Sequence, residues 1–80
     1  MKTNDLKKGS KILLRNGLKA DIFDNKKGNI RLARVYEIGS VYSHDIVGYY
    51  DEKGTIKHDM EYTKSQIKCR DINKALGFGY

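Results

Sequence analysis

Hydrophobic residues in this chain occur in short runs, and glycine or clusters of asparagine and aspartate separate one run from the next. Runs of this length with such boundaries are typical of β-strands. They predict five strands, at about residues 11–14, 18–23, 30–36, 41–50 and 55–60.

The loop between the first two runs is set by the side-chain pattern of the strands on either side. A two-residue loop at Asn-Gly would place Leu14 opposite Lys19 and mix apolar with charged residues on one face. A three-residue loop, residues 15–17 with Gly17 left-handed, pairs Leu14 with Leu18 instead and keeps the faces separate. We therefore predict the three-residue loop.

Apolar and polar residues alternate imperfectly in the third run, residues 30–36. Ile30 and Leu32 share one parity, whereas Ala33 and Val35 share the other. A bulge or bend near residues 32–33 would reconcile the two sets, so one is predicted there.

The last quarter of the chain has a helical pattern. Thr63-Lys-Ser-Gln66 has the form of a capping box, and Gly77 is a usual C-terminal stop. These signals predict a short helix over about residues 64–76. We expect its ragged apolar stripe to pack on the sheet with help from Phe78; the stripe consists of Ile67, Cys69, Ile72, Ala75 and Leu76.

Together these elements predict a mostly β fold, either a small SH3-like five-stranded barrel or a partly open sheet, with one short C-terminal helix. The 80 residues make a single domain, 1–80, with the barrel at about 7–62 and the helix at about 64–76. The rhythm of residues 8–22 resembles the KOW-like barrels of transcription and ribosomal proteins.

Charge is distributed unevenly and adds a functional expectation. The net charge is +6, yet residues 1–34 hold ten basic and three acidic residues, and residues 35–80 hold six and seven. A positive face for a polyanion or an acidic protein is one interpretation, and a solvated lysine-rich surface is the other.

Catalytic and metal-binding patterns are weak. Two His-Asp dipeptides occur, at residues 44–45 and 58–59. If Tyr50 pairs with Thr55, the histidines lie roughly 10 Å apart along the ladder, too far to share one metal ion. We expect surface or half-buried histidines, an idle or packed Cys69, no metal site, no cofactor and no enzymatic activity.

Six tyrosines and the basic half of the chain indicate a binding surface instead. Aromatic and guanidinium groups close together in the chain suit either a nucleic acid or a protein partner. The predicted surface comprises Lys26, Lys27, Arg31, Arg34 and Tyr42, with Lys19 and Arg15 at its edge. The polar N-terminal residues and the lack of a long apolar run predict a cytoplasmic protein without membrane association.

The runs at residues 14–17, 24–33 and 37–46 resemble a family of small uncharacterised proteins of phages, prophages and plasmids. Residues 63–68 and 75–78 extend the resemblance over most of the chain. It implies an accessory protein of a mobile element, acting in the cytoplasm of a host cell, and it implies no catalytic residue.

Three functions follow as hypotheses. The first is a non-catalytic protein that binds and modulates or inhibits a host nucleic-acid machine or defence complex. The second is a module that binds DNA or RNA directly through the basic N-terminal half. The third, a protein that sequesters a small nucleotide, would normally require a pocket formed by an oligomer.

Overall fold

The computed structural model describes residues 1–77 as one antiparallel sheet with a C-terminal helix, and the predicted role of Phe78 lies outside these residues. The strands run in the spatial order β4-β3-β2-β1-β5-β6. Their bounds are β1 Lys11–Leu14, β2 Lys19–Ile22, β3 Ile30–Arg34, β4 Ile38–Tyr42, β5 Ile46–Tyr50 and β6 Ile56–Lys57, and helix α1 is Lys64–Ala75. Short 3-10 turns occupy Thr3–Asp5 and Ser43–Asp45.

The mostly β prediction is confirmed at this level. Residues 1–77 form an open sheet of six strands rather than a five-stranded barrel. The predicted strand at residues 41–50 divides at the turn Ser43–Asp45. The side chains of Ser43 and His44 are buried there, and the Ser43 hydroxyl donates to the carbonyl of Gly28. This bond ties the turn to the segment that precedes β3.

The β1–β2 hairpin has the three-residue loop that the pattern predicts. Ile12 pairs with Ala20, and the Leu14 N–H donates to the Leu18 carbonyl at 2.9 Å. Gly17 has φ = +88°, the left-handed conformation that closes such a loop.

β3 alternates regularly, so the predicted bulge near residues 32–33 is wrong. Its buried positions are Arg31 and Ala33, and its pairing with β4 is in continuous register. The prediction assumed that apolar residues mark the buried side of β3. In fact Arg31 occupies a buried position, and Ile30 points outward with 53% of its surface exposed. The irregularity lies instead between Leu13 and Leu14, opposite β5.

The β5–β6 pairing is displaced by one residue from the prediction, since Tyr50 pairs with Ile56 rather than Thr55. β6 is also shorter than predicted. Gly48 lies against it so closely that an added Cβ would come within 2.8 Å of the Lys57 carbonyl oxygen. Close approach of two backbones therefore requires glycine at this position.

The apolar core lies on one side of the sheet and is small. Its residues come from the N-terminal turn and four of the strands: Leu6, Ile12, Leu14, Ala20, Ile22, Ala33 and Ile46. Thr3, Arg31, Ser43, His44, Gln66 and Asn73 are buried with them. Among the described residues, every buried side-chain nitrogen or oxygen has a hydrogen-bond partner.

Helix α1 begins as predicted, because Thr63 and Gln66 form the capping box. Its orientation differs from the prediction. The buried side chains are Gln66 and Asn73, whereas Ile67, Ile72 and Leu76 are exposed. The helix is held through polar contacts, because Gln66 donates to Asn4 Oδ1 at 3.0 Å and to the Gly28 carbonyl at 2.9 Å.

Candidate binding surface

Arg31, one of the predicted surface residues, lies in the interior with no exposed area. Its Nε donates to Asp24 Oδ1 at 3.0 Å, and its Nη atoms donate to the carbonyls of Thr3 and Leu6 at 3.2 and 3.1 Å. A guanidinium group that is this enclosed holds the N-terminal turn against β3. Arg31 therefore does not belong to the binding surface.

The surroundings of Asp24 lower the pKa of its carboxyl group and so favour its ionised form beside Arg31. Burial acts to raise its pKa, but the Leu32 N–H at 2.8 Å from Oδ2, the Arg31 hydrogen bond and the nearby positive charges outweigh burial. The pKa of this carboxyl lies below its ordinary value of 3.8.

Arg15 and Tyr42, distant in sequence, line one groove of about 480 Å³. One wall of the groove is β4 from Ser40 to Tyr42, and the other is the end of β1 with its loop. Arg15 Nε lies 3.1 Å from Asp45 Oδ1, and Arg15 Nη2 donates to the His44 carbonyl at 3.1 Å. The structure thus brings these two predicted residues together.

His44 is buried and packs against the groove residue Tyr42. Its ring stacks on Tyr42, with 4.9 Å between centroids and 16° between planes. Asn73 Nδ2 lies 3.2 Å from Nε2, and Asp45 Oδ1 lies 3.4 Å from Nδ1. These partners fit a neutral ring that carries its proton on Nδ1 and accepts from Asn73 at Nε2.

Burial lowers the pKa of His44 below its ordinary value of 6.5, and this effect outweighs the attraction of Asp45. The expectation of a surface or half-buried histidine was wrong for His44, which is 1% exposed, whereas His58 is exposed.

A second cluster, on the outward side of the sheet, combines cations with aromatic rings. The Lys8 ammonium and the Arg34 guanidinium lie 5.0 and 5.3 Å from the centroid of Phe23. The Lys19 ammonium lies 4.4 Å from the Tyr50 ring. Such distances are those of cation–π contacts, so the rings hold the charged groups in place.

Lys27 joins this cluster through Lys8. An open depression of about 650 Å³ is lined by both lysines and by Lys7. A smaller one, of about 220 Å³, is lined by Lys8, Lys11 and Arg34 among others. We define the basic face as Lys8, Lys11, Lys19, Lys27 and Arg34. Lys26 is exposed in the same loop as Lys27.

The structure therefore divides the predicted surface. Arg15 and Tyr42 belong to the groove, Lys19, Lys27 and Arg34 belong to the basic face, Lys26 is exposed beside Lys27, and Arg31 lies in the interior. Sequence reasoning missed Lys8, Lys11 and Phe23. Strand periodicity contained a signal for Phe23, because it shares the outward parity of Lys19 and Asp21 in the second hydrophobic run.

Residues 1–77 contain no group of three or more His, Cys, Asp or Glu side chains placed to hold a metal ion. Within the same span, no helix has the length and apolar character needed to cross a membrane. Cys69 is a free thiol of intermediate burial.

Comparison of the chain with models of protein families, with curated proteins and with solved structures gives no match in any of the three.

Proposed function

We propose that the protein is a non-catalytic binding module of a mobile element, whose basic face contacts the phosphate backbone of nucleic acid within a host nucleic-acid machine or defence complex. The observation that carries this proposal is the proximity of these cations: Lys8, Lys11 and Arg34 line one depression, Lys27 shares another with Lys8, and Lys19 lies on the outward side of β2. The SH3-like resemblance of the fold is part of the same proposal.

The chemistry of the basic face favours contacts with phosphate groups rather than with the bases of nucleic acid. Phe23 and Tyr50 already lie under cations, so their rings are not open platforms for base stacking. Lys11 Nζ lies 3.4 Å from Asp21 Oδ1, and this carboxylate partly neutralises the lysine. The other cations of the basic face are therefore its main source of positive charge. Contacts of this type position a protein on nucleic acid without selecting a sequence.

A second candidate is direct contact with a protein of the host machine, without contact to nucleic acid. The groove beside Tyr42 favours it, because it combines an aromatic ring, an apolar floor and a charged pair of residues. Features of this kind anchor protein interfaces.

Fluorescence anisotropy with labelled single-stranded and duplex oligonucleotides tests the first candidate. We expect affinity to fall steeply as salt rises, and we expect K8E/R34E to weaken binding at least tenfold at low salt. The matched control is K64E/K68E, which makes the same charge change on α1. Equal loss in both variants, or no salt-dependent binding by the wild type, contradicts the proposal.

An affinity pull-down from host lysate separates the two candidates. It is repeated with nuclease and at raised salt. A host protein that is retained under both treatments supports direct protein contact, whereas loss under both supports contact through nucleic acid.

A further inference from the structure

Within residues 1–77, β4 forms an edge of the sheet and lacks three features that normally prevent an edge strand from pairing with another chain: a charged residue, a proline and a bulge. Its sequence, Ile-Gly-Ser-Val-Tyr, contains no charged residue and no proline. Its pairing with β3 is regular over all five residues, so no bulge turns the edge away. Natural proteins usually protect edges by one of these means. β6 at the opposite edge is only two residues long and includes Lys57.

The register defines which backbone groups of β4 face outward. The Ser43 N–H donates to the Asn29 carbonyl at 2.8 Å, and hydrogen-bonded pairs then alternate along the ladder. Gly39 and Val41 therefore bond to β3. The N–H and C=O groups of Ile38, Ser40 and Tyr42 point away from β3, towards the open edge.

We infer that a second copy of this chain pairs with β4 through its own β4, in an antiparallel arrangement with the two-fold axis at Ser40. This inference is independent of the proposed function. Ser40 lies opposite Ser40 of the second copy, and Ile38 lies opposite the second copy's Tyr42. In this register the outward N–H and C=O groups of one β4 face those of the other. Each of the three residue pairs (38 with 42, 40 with 40, and 42 with 38) therefore exchanges two hydrogen bonds.

Side chains on the outward side of the sheet fit the same register. Ile38 and Tyr42 are 47% and 41% exposed, and Ile30, which is paired with Tyr42, is 53% exposed. Pairing places Ile30, Tyr42 and the second copy's Ile38 in one row, and the two-fold axis repeats that row. Cross-strand pairs of aromatic and β-branched residues stabilise sheets.

Charge and space are also compatible with this partner. The groove of about 480 Å³ lies beside Ser40 and Tyr42, so the described residues do not pack against this side of β4. The same register places the second copy's Glu37 opposite Ser43, next to the groove residue Tyr42. Because β4 itself is uncharged, the pairing brings no two charged side chains of β4 together, although each chain has a net charge of +6.

Sedimentation equilibrium at protein concentrations from micromolar to millimolar tests the inference. The wild type should shift from monomer to dimer as concentration rises. Ser40→Pro should remain monomeric, because the Ser40 N–H faces away from β3 and proline is tolerated at such edge positions. Ile38→Lys should also abolish the dimer. Ile67→Lys, the same substitution at an exposed position of α1, is the control and should dimerise normally.

Amide hydrogen exchange supplies a second readout that does not depend on the variants. At high concentration the amides of Ile38, Ser40 and Tyr42 should gain protection, whereas Gly39 and Val41 should be protected at every concentration. A wild type that is monomeric throughout overturns the inference. A dimer lost in Ile67→Lys and kept in the two β4 variants also overturns it.

Discussion

Arg31 and Asp24 form an ion pair inside the protein, with Arg31 Nε 3.0 Å from Asp24 Oδ1 and the arginine side chain wholly enclosed. Three backbone carbonyls accept from the same guanidinium group: those of Thr3, Leu6 and Asp24. The N-terminal turn, the β2–β3 connection and β3 are thus joined by a single side chain.

Loss of one partner in this pair should be costly. Asp24→Ala leaves the buried guanidinium without its counter-charge, and we expect the free energy of unfolding to fall by about 3–5 kcal/mol. Urea denaturation provides the measurement, and a variant already unfolded without urea counts as agreement. Asp21→Ala is the control, because its pair with Lys11 is exposed and should contribute less than about 1 kcal/mol. Equal losses in both variants would show that burial does not matter here.

Acid should weaken the protein partly through Asp24. The pKa of this carboxyl is lower in the folded chain than its ordinary value of 3.8. Its contribution to stability is therefore complete above that value and is lost as pH falls through the folded pKa. Chemical denaturation at a series of pH values below 5 should show this loss. Asp24→Asn should be less stable at neutral pH and should lose less on acidification; an unchanged acid slope would contradict the assignment.

His44 should produce a separate dependence at milder pH. Burial holds the pKa of His44 below 6.5, so the unfolded chain takes up a proton before the folded one. Stability should be complete above pH 6.5 and should decrease as pH falls from there towards the folded pKa. His44→Gln should flatten this region of the curve, whereas His58→Gln at an exposed site should leave it intact. Equal slopes in wild type and His44→Gln would refute the prediction.

Gly48 should tolerate no side chain. Gly48→Ala directs a Cβ to within 2.8 Å of the Lys57 carbonyl oxygen, and backbone must move to relieve the clash. We expect a loss of about 1–3 kcal/mol in the free energy of unfolding and faster amide exchange in β6. Gly39→Ala is the matched control, since nothing lies within 4 Å of its added Cβ. A neutral Gly48→Ala would mean that β5 and β6 are farther apart than described.

The capping box should matter to α1. The Thr63 side chain accepts from the Gln66 N–H at 3.1 Å, and Thr63→Ala removes this bond. Stability should fall by about 1 kcal/mol, with reduced helical circular dichroism near the midpoint of denaturation. Thr55→Ala, at an exposed position outside the helix, should change stability by less than half as much. Similar losses of stability in both variants would show that the Thr63 cap does not stabilise α1.

Local signals in the sequence were sufficient for the β1–β2 hairpin and the start of α1. Each depends on residues close in the chain: the loop ending at Gly17, and the pair Thr63 and Gln66. Long-range contacts decided the rest. Arg31 reads as a surface residue until Thr3 and Leu6 supply acceptors from 28 and 25 positions away. No local pattern contains that information.

The candidate site divides in the same way. Periodicity places Lys19 and Asp21 on the outward side of β2, but only the β2–β3 register brings Arg34 opposite Asp21. Arg15 and Tyr42 line one groove because the turn Ser43–Asp45 brings β5 back beside β1, and this pairing of distant segments has no local sequence signal. The orientation of α1 was wrong in the prediction because its buried contacts are amides, and an apolar stripe normally marks the buried side.

The hydrogen bonds of Gln66 also have a consequence for biosynthesis. They join Asn4 and Gly28 to a residue that lies 62 and 38 positions further along the chain. During translation these two acceptors lack this donor until Gln66 itself has been synthesised. Because contacts of such long range form late, the chain should complete its folding only after α1 has left the ribosome. Nascent chains that stall before Gln66 should accordingly remain sensitive to protease.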